Sequence, residues 1–452
     1  MSDFVTYPEI EPSEVDWIGD VPSHWKERKI IYGFQQVGSG TTPKSDNDAY
    51  YDDEGVPWVT TSELRETTIT KTKQYLTPKA MEDHSSLRLY PIDSVLFAMY
   101  GATIGRLGLL GVPSTVNQAV CVFAKPRDVH HKYIFYWLLM RRDILVGLSS
   151  GGGQPNLSQD DLRKVKTLVP PREEQEQIAR FLDSAVGKTD TLVSKKRELI
   201  ELLQEKRRAL VARCVTRGLP PDAAHAVGLD PQPKLKPSGV DWLGDVPEHW
   251  DVVQLRRRWD VLDCKHKTVS FVDDEDAFPL ASIREVSSFE VDLINANRTT
   301  REEYLDMIEG ERDPRIGDII YSRNATVGDA SIVATDKPFC MGQDVCLIRS
   351  ASQHPRYVIY MLRSVPLLEQ AESMMIGSTF RRINVGQIKQ YWTALPPHDE
   401  QIEIAKYLDA ETKRIDKLLA KVDEATERLT EYRSALITAA VTGKIDVREV
   451  EV

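Results

Sequence analysis

Residues 170–183 read PPREEQEQIARFLD, and residues 396–409 read PPHDEQIEIAKYLD. The second stretch repeats the first at an offset of 226. The match continues through Asp190/Asp416, Glu205/Glu431, Arg207/Arg433, Ala209/Ala435 and Leu210/Leu436. Both copies place apolar residues at alternating steps of four and three. In the first they are Ile178, Leu182, Leu192, Leu199, Leu203 and Leu210, with Lys196 and Lys206 interrupting. In the second they are Ile404, Leu408, Ile415, Leu418, Val422, Leu429 and Leu436, with Glu411 interrupting. That spacing predicts a heptad seam and a coiled coil. A proline pair precedes each run, acidic residues fill its first turn, and Gly218 and Gly443 stand where a helix would end. Each helix should be a rod of roughly 70 Å, too long to bury its stripe alone. Its natural partner is its own copy.

The repeat takes in whole domains. Residues 12–25, PSEVDWIGDVPSHW, return as PSGVDWLGDVPEHW at 237–250. ATIG at 102–105 returns as ATVG at 325–328, and QAVC at 118–121 as QDVC at 343–346. Tyr133 and Tyr136 answer to Tyr357 and Tyr360. A repeat of this length means duplication of a globular domain together with its helix. The expected order is a first domain over 1–170, a helix over 171–218, a Pro-rich linker over 219–236, a second domain over 237–395, a helix over 396–443 and a short tail over 444–452. Residues 56–60, 94–99 and 115–124 read as short strands and 133–145 as a helix. The second half echoes this with strands near 317–322 and 345–348 and a helix over 355–368. The fold class is therefore α+β: two duplicated domains joined by two long helices.

Composition bounds the function. The chain has 452 residues, 41% of them apolar and 28% charged, as in soluble globular proteins. No apolar run approaches the roughly 18 residues of a membrane span, and the first residues lack a signal-peptide pattern. Five scattered cysteines without a Cys-x-x-Cys pair argue against zinc and fit a reducing cytoplasm. The net charge is −11, unevenly spread: residues 171–218 carry +3, and 219–395 carry −7. A nucleic-acid ligand would have to be held by local basic patches, with help from a more basic partner.

No catalytic set emerges. There is no phosphate-binding Gly-x-x-x-x-Gly-Lys loop and no dinucleotide-binding glycine pattern. The two proline pairs are not part of an amino-methyltransferase motif. What the chain does offer is loops suited to DNA. In the first half these carry Lys44 and Ser45 after a Gly/Thr/Pro turn, Thr60, Thr61, Ser62 and Arg65 after a strand, Tyr100 and Arg106 around the ATIG turn, and Gln154 after three glycines. Such donors reach phosphates or base edges. In the second half the corresponding places hold Lys265, His266 and Lys267, then Ser282 and Arg284, then Arg323 and Asn324, then Arg381 and Arg382. The frame repeats while its polar loops change, as expected of two readers of different sequences. Passive loops on a coiled-coil scaffold are the alternative class.

Taken in order, the motifs at 12–25, GTTP at 40–43, Pro57-Trp58, GATIG at 101–105, Asn117-Gln118 and PPREEQ with its helix resemble the specificity subunits of Type I restriction–modification enzymes. The same marks recur at 237–250, 325–328, 396–401 and in TGKIDV at 442–447. The second half departs from them: GTTP is missing, and Gly101 and Asn117 become Asn324 and Gly342. The resemblance implies a subunit without chemistry of its own. Each globular half would be a target recognition domain for one half of a split double-stranded DNA site, and the two long helices, packed antiparallel with internal pseudo-two-fold symmetry, would set the unread spacer. It further implies two methyltransferase subunits and, where cleavage occurs, restriction subunits as partners. S-adenosylmethionine, ATP and magnesium would belong to those partners, with no cofactor or metal on this chain.

Overall fold

The structure, a computed structural model, describes residues 4–15, 17–147, 156–350, 352–375 and 381–450. The chain divides into two compact units, Met1–Arg197 with Glu424–Val452, and Glu198–Asp423. Both divisions fall inside the long helices, Arg172–Arg217 and His398–Val441. Each unit thus holds one globular head, the start of that head's own helix and the end of the other.

In the first unit, a five-stranded sheet runs in the order Phe34–Gly38, Val120–Pro126, Val95–Ala98, Leu107–Leu110, Thr68–Ile69. Its central strand Val95–Ala98 is buried on both faces, hence its unbroken apolar run. Alternation sends Val95 and Phe97 to one face, against Tyr133, Ile134 and Trp137 of the helix His131–Gly147. Leu96 and Ala98 go to the other, against Val59 and Val116 of a second sheet. Residues 115–124 are therefore not one strand. Thr115–Val116 joins the second sheet and Val120–Pro126 the first, because Asn117 turns the chain between them.

The second unit repeats this plan. The strands Asp260–Asp263, Val345–Arg349, Ile319–Ser322 and Ala330–Ile332 form an antiparallel sheet, faced by a smaller one built on Phe278–Ala281. The single helix expected over 355–368 is two, Pro355–Leu362 and Val365–Met374. Pro366 has no N–H for the Leu362 carbonyl, so the first helix ends and another begins.

The repeated motifs prove to be fasteners. Glu174, in the first turn of the first long helix, is buried and accepts hydrogen bonds from Tyr7 Oη (2.5 Å) and Trp25 Nε1 (3.0 Å), with His24 Nε2 at 2.8 Å. Its copy Glu400 meets His249 Nε2 at 2.9 Å. Gln175 accepts from His130 N and donates to the Pro170 carbonyl; Gln401 does the same with His354 N and Pro396. The same tryptophan corner receives the far end of the other helix. Gly443, at φ +70°, lies so close that a Cβ would fall 2.3 Å from the Pro22 ring and 3.3 Å from Trp25. A Cβ on Gly218, at φ +79°, would fall 3.5 Å from Trp250.

Within each unit the two helices run antiparallel. In the first, Tyr133 Oη donates to both Leu168 O and Val441 O, while Arg433 pairs with Asp190 at 2.8 Å. In the second, Arg207 pairs with Asp416 at 3.3 Å. The seam differs from the heptad expectation. Ile178, Leu182, Ile404, Leu408, Ile415 and Leu436 are buried, and Leu203, Leu210, Val422 and Leu429 are half-buried. Leu192, Leu199 and Leu418 are 48%, 42% and 43% exposed. The less exposed stripe passes instead through Val186, Thr189, Val193, Lys196, Ile200, Leu203, Arg207, Val211 and Cys214. From Ile178 to Cys214 it takes ten steps over 36 residues, a spacing of 3.6 rather than the heptad's 3.5.

The segments read as linker and tail both contribute to the cores. Within 219–236, Pro221–Ala226 is helical, Leu219 and Ala224 are buried in the second unit's core, and Leu235–Pro237 pairs with Asp245–Pro247. In the tail, Ile445 and Val447 are buried in the first unit's core, and Asp446 N donates to Val5 O at 2.8 Å.

Candidate nucleic-acid interface

Strand register decides where the polar loops go. In the first head Gly38 lies opposite Val122, Ala98 opposite Val120, and Val59 beside Val116. The segments that leave these positions, 39–45, 60–65, 99–106 and 117–119, therefore converge at one end of the sheets. Gly40 permits the closest approach: a Cβ there would lie 1.7 Å from the Val116 carbonyl oxygen. Trp58 Nε1, Tyr51 Oη and Tyr90 Oη donate to the carbonyls of Thr41, Pro43 and Ser39. That pins the turn and leaves Lys44 and Ser45 exposed on a fixed base.

Thr60 sits at the N-cap of a short 3-10 helix, its hydroxyl shared with Ser62 (2.9 Å) and Glu63, so this stretch is a cap at the converging end. Thr61 is half-buried in that turn. Arg65 and Arg106 are exposed and line one cleft of about 460 Å³ with Glu66 and Arg142. Arg142 pairs with Glu66, which leaves Arg65 and Arg106 open. Tyr100 is half-buried and bridged through its backbone to Asn156. Gln154 lies outside the described residues.

The second head converges likewise. Asp263 stands opposite Cys346, Ser322 opposite Val345, and Ala281 beside Met341. Arg381 and Arg382 join that end through Ala325 N→Arg381 O and the Asn324–Arg382 bridge. Here several expected DNA donors are already engaged. Arg323 is 3% exposed, pairs with Asp263 at 2.9 Å and donates to Cys264 Sγ and Gln343 O; it is a core strut, not a reader. Lys265 pairs with Asp306 and Glu309, each at 2.6 Å, and Lys267 with Asp306 at 2.8 Å. The two ammoniums hold the Asp306 carboxyl down to about 2. These lysines have carboxylate partners within the head, so neither is the free cation the sequence suggested. Ser282 caps a 3-10 turn with Glu285, and Asn324 donates to Asp344. Arg284 is 61% exposed, beside Glu285, and Arg381 pairs with Glu372. His266 is exposed but pairs with Asp263 at 3.2 Å, and Arg382 is exposed.

Asp263, Cys264 and His266 bring one potential metal ligand each within 4.8 Å. The Arg323 guanidinium already supplies the positive charge there, and burial pushes the Cys264 thiol up, away from thiolate. These residues fit an internal ion pair better than a cation site. All five cysteines are free and buried.

One shared element escaped sequence reading. Thr42 Oγ1 donates to Gln118 Oε1 (2.5 Å), and Gln343 Nε2 donates to Thr268 Oγ1 (2.7 Å). Both glutamines are exposed at the converging end. The glutamines repeat visibly, but Thr268 is hidden behind Lys265-His266-Lys267, which bears no likeness to the glycine turn before Thr42.

Two sheet ends with differing polar loops, on one repeated helical frame, are the geometry against which known proteins can be compared. The model of the Type I restriction modification DNA specificity domain matches residues 22–202 and 276–427. The chain belongs to this family. Among its relatives, a putative type I restriction enzyme MjaX specificity subunit of Methanocaldococcus jannaschii is 24% identical over 95% of this chain and 96% of that one. The EcoR124I/EcoR124II specificity subunit of Escherichia coli is 26% identical over 37% of this chain and 42% of its own. In fold, the chain is similar to one from a type I R-M system (TM-score 0.66, 16% identity, 93% of this chain and 98% of that). It also resembles the HsdS subunit from Thermoanaerobacter tengcongensis (TM-score 0.54, 16% identity, 94% and 98%). Among the described residues of this specificity-family chain, no helix is long and apolar enough to cross a membrane.

Proposed function

We propose that this chain chooses the DNA on which a Type I restriction–modification complex acts. Each head reads one half of a bipartite double-stranded site, and the long helices carry the heads. The chain performs no chemistry. Two methyltransferase subunits and, for cleavage, restriction subunits bind it and bring S-adenosylmethionine, ATP and magnesium. The observation that carries this reading is the contrast inside each unit: fasteners repeat, while the polar side chains at the converging sheet ends differ. Two heads of unlike chemistry on one frame suit an asymmetric site, because a two-headed reader fixes half-site spacing as well as sequence.

Co-expression with its methyltransferase subunit tests this. Methylome sequencing of the host, with and without the gene, should reveal one bipartite motif that depends on it. An unchanged methylome overturns the proposal.

A further inference from the structure

In the second unit an open cleft of about 880 Å³ runs between the head and the long helices. Five of its lining side chains are cationic: Arg207, Arg356, Arg363, Lys413 and Lys417. Three are carboxylates, and each is taken: Asp416 pairs with Arg207, and Asp409 and Glu290 with Arg356. Arg363, Lys413 and Lys417 have no carboxylate within ion-pair distance among the described residues. Arg363 is pinned, its guanidinium donating to the carbonyls of Ser287 and Ser288 beside the Phe289 ring. Lys413 and Lys417 stand one helical turn apart on the second long helix, exposed on the same face. Like charges at that spacing destabilise a helix unless something neutralises them.

We infer that this cleft holds DNA backbone, with Lys413 and Lys417 each neutralising a phosphate beside the half-site the second head reads. The inference rests on the proposed function and adds to it a contact that carries no sequence information. Place supports it as well as charge. Ser287 follows the 282–286 turn, so the cleft begins three residues from Arg284. In the first head, the cleft of Arg65, Arg106 and Arg142 opens beside the equivalent turn, with Glu66 as its one acidic lining residue among the described residues. An open trough with uncompensated lysines along one wall suits a continuous polyanion better than a small anion, which an enclosed pocket would grip from several sides.

The double variant Lys413→Gln/Lys417→Gln, in the full chain complexed with its methyltransferase subunit, decides the matter. Binding is measured against salt on two duplexes, one bearing the methylated motif and one of random sequence. Each lost phosphate contact removes about 0.9 from the slope of log K against log salt, so the slope should become shallower by about 2. Affinity at low salt should fall roughly ten- to a hundred-fold on both duplexes, since the lost counterion release is independent of sequence. The motif itself and complex assembly should be unchanged. An unchanged slope overturns the inference. So does loss of assembly at unchanged slope, which would make the cleft a dock for an acidic protein surface. A wild-type complex that methylates no bipartite motif would instead overturn the proposed function, while the random duplex still judges the cleft.

Discussion

The corners where helices meet heads and the sheet ends where loops converge obey different rules. At the corners, residues and contacts repeat together: Glu174 and Glu400 each hold a histidine, and each C-terminal glycine abuts a tryptophan. At the sheet ends the backbone plan, one Thr–Gln pair and the Thr60–Glu63 and Ser282–Glu285 caps repeat, and the basic side chains do not. Lys44 stands open where Lys265 and Lys267 are bound to carboxylates, and Arg65 is open where Arg284 lies against Glu285. The difference teaches that the corner must hold one geometry in both halves, whereas the sheet end is free to present a different surface in each.

The repeat at the corners is imperfect, and that can be exploited. Glu174→Ala strands three donors, Tyr7, His24 and Trp25, and should cost roughly 3–5 kcal/mol of stability. Glu400→Ala strands His249, itself half-exposed, and should cost about 1–2 kcal/mol. Thermal melts of the two variants that coincide would break the asymmetry. Gly443→Ala must push aside Pro22 besides adopting a left-handed backbone, for a loss of roughly 3 kcal/mol. Gly218→Ala has ordinary contact distances and should lose about 1 kcal/mol.

The sheet ends make the converse prediction. Arg323→Ala strips Asp263 of its buried guanidinium, leaving only the exposed His266 beside it, and should destabilise the second head by roughly 2–3 kcal/mol. Arg65→Ala should shift stability by less than about 0.5 kcal/mol, yet weaken binding of the first half-site by about 1–3 kcal/mol. Melts and DNA titrations of the same two proteins would sharpen or erase that contrast. The smallest effect concerns acid. Asp306 is depressed to about 2 from 3.8, so its favourable contribution is present above 3.8 and disappears as pH falls through about 2. Followed by NMR, its titration midpoint should move back towards 3.8 in Lys265→Ala/Lys267→Ala.

Much of the frame was legible because duplication doubles every local signal. The paired helices and their proline, acidic and glycine boundaries lie in contiguous sequence. The stripe between 186 and 214 was misplaced because leucines at 192 and 199 fit a heptad, while the helix holds the 3.6 period and shows Val193 and Ile200 inward. Residues 219–236 read as linker because prolines mask two apolar anchors, Leu219 and Ala224. The sheet ends were least legible. Whether a cation is free depends on partners far along the chain: Arg323 finds Asp263, and Lys265 finds Asp306 and Glu309. No local pattern announces those pairings.

The carboxylates around Lys265 and Lys267 set a rule for redesign. A lysine loop cut out and spliced into the other head would arrive without Asp306 and Glu309, and its charges would act on whatever lay nearest. The smallest portable unit of specificity is therefore an entire sheet end with its counterions, exchanged at the corners, where both heads already share the same fittings.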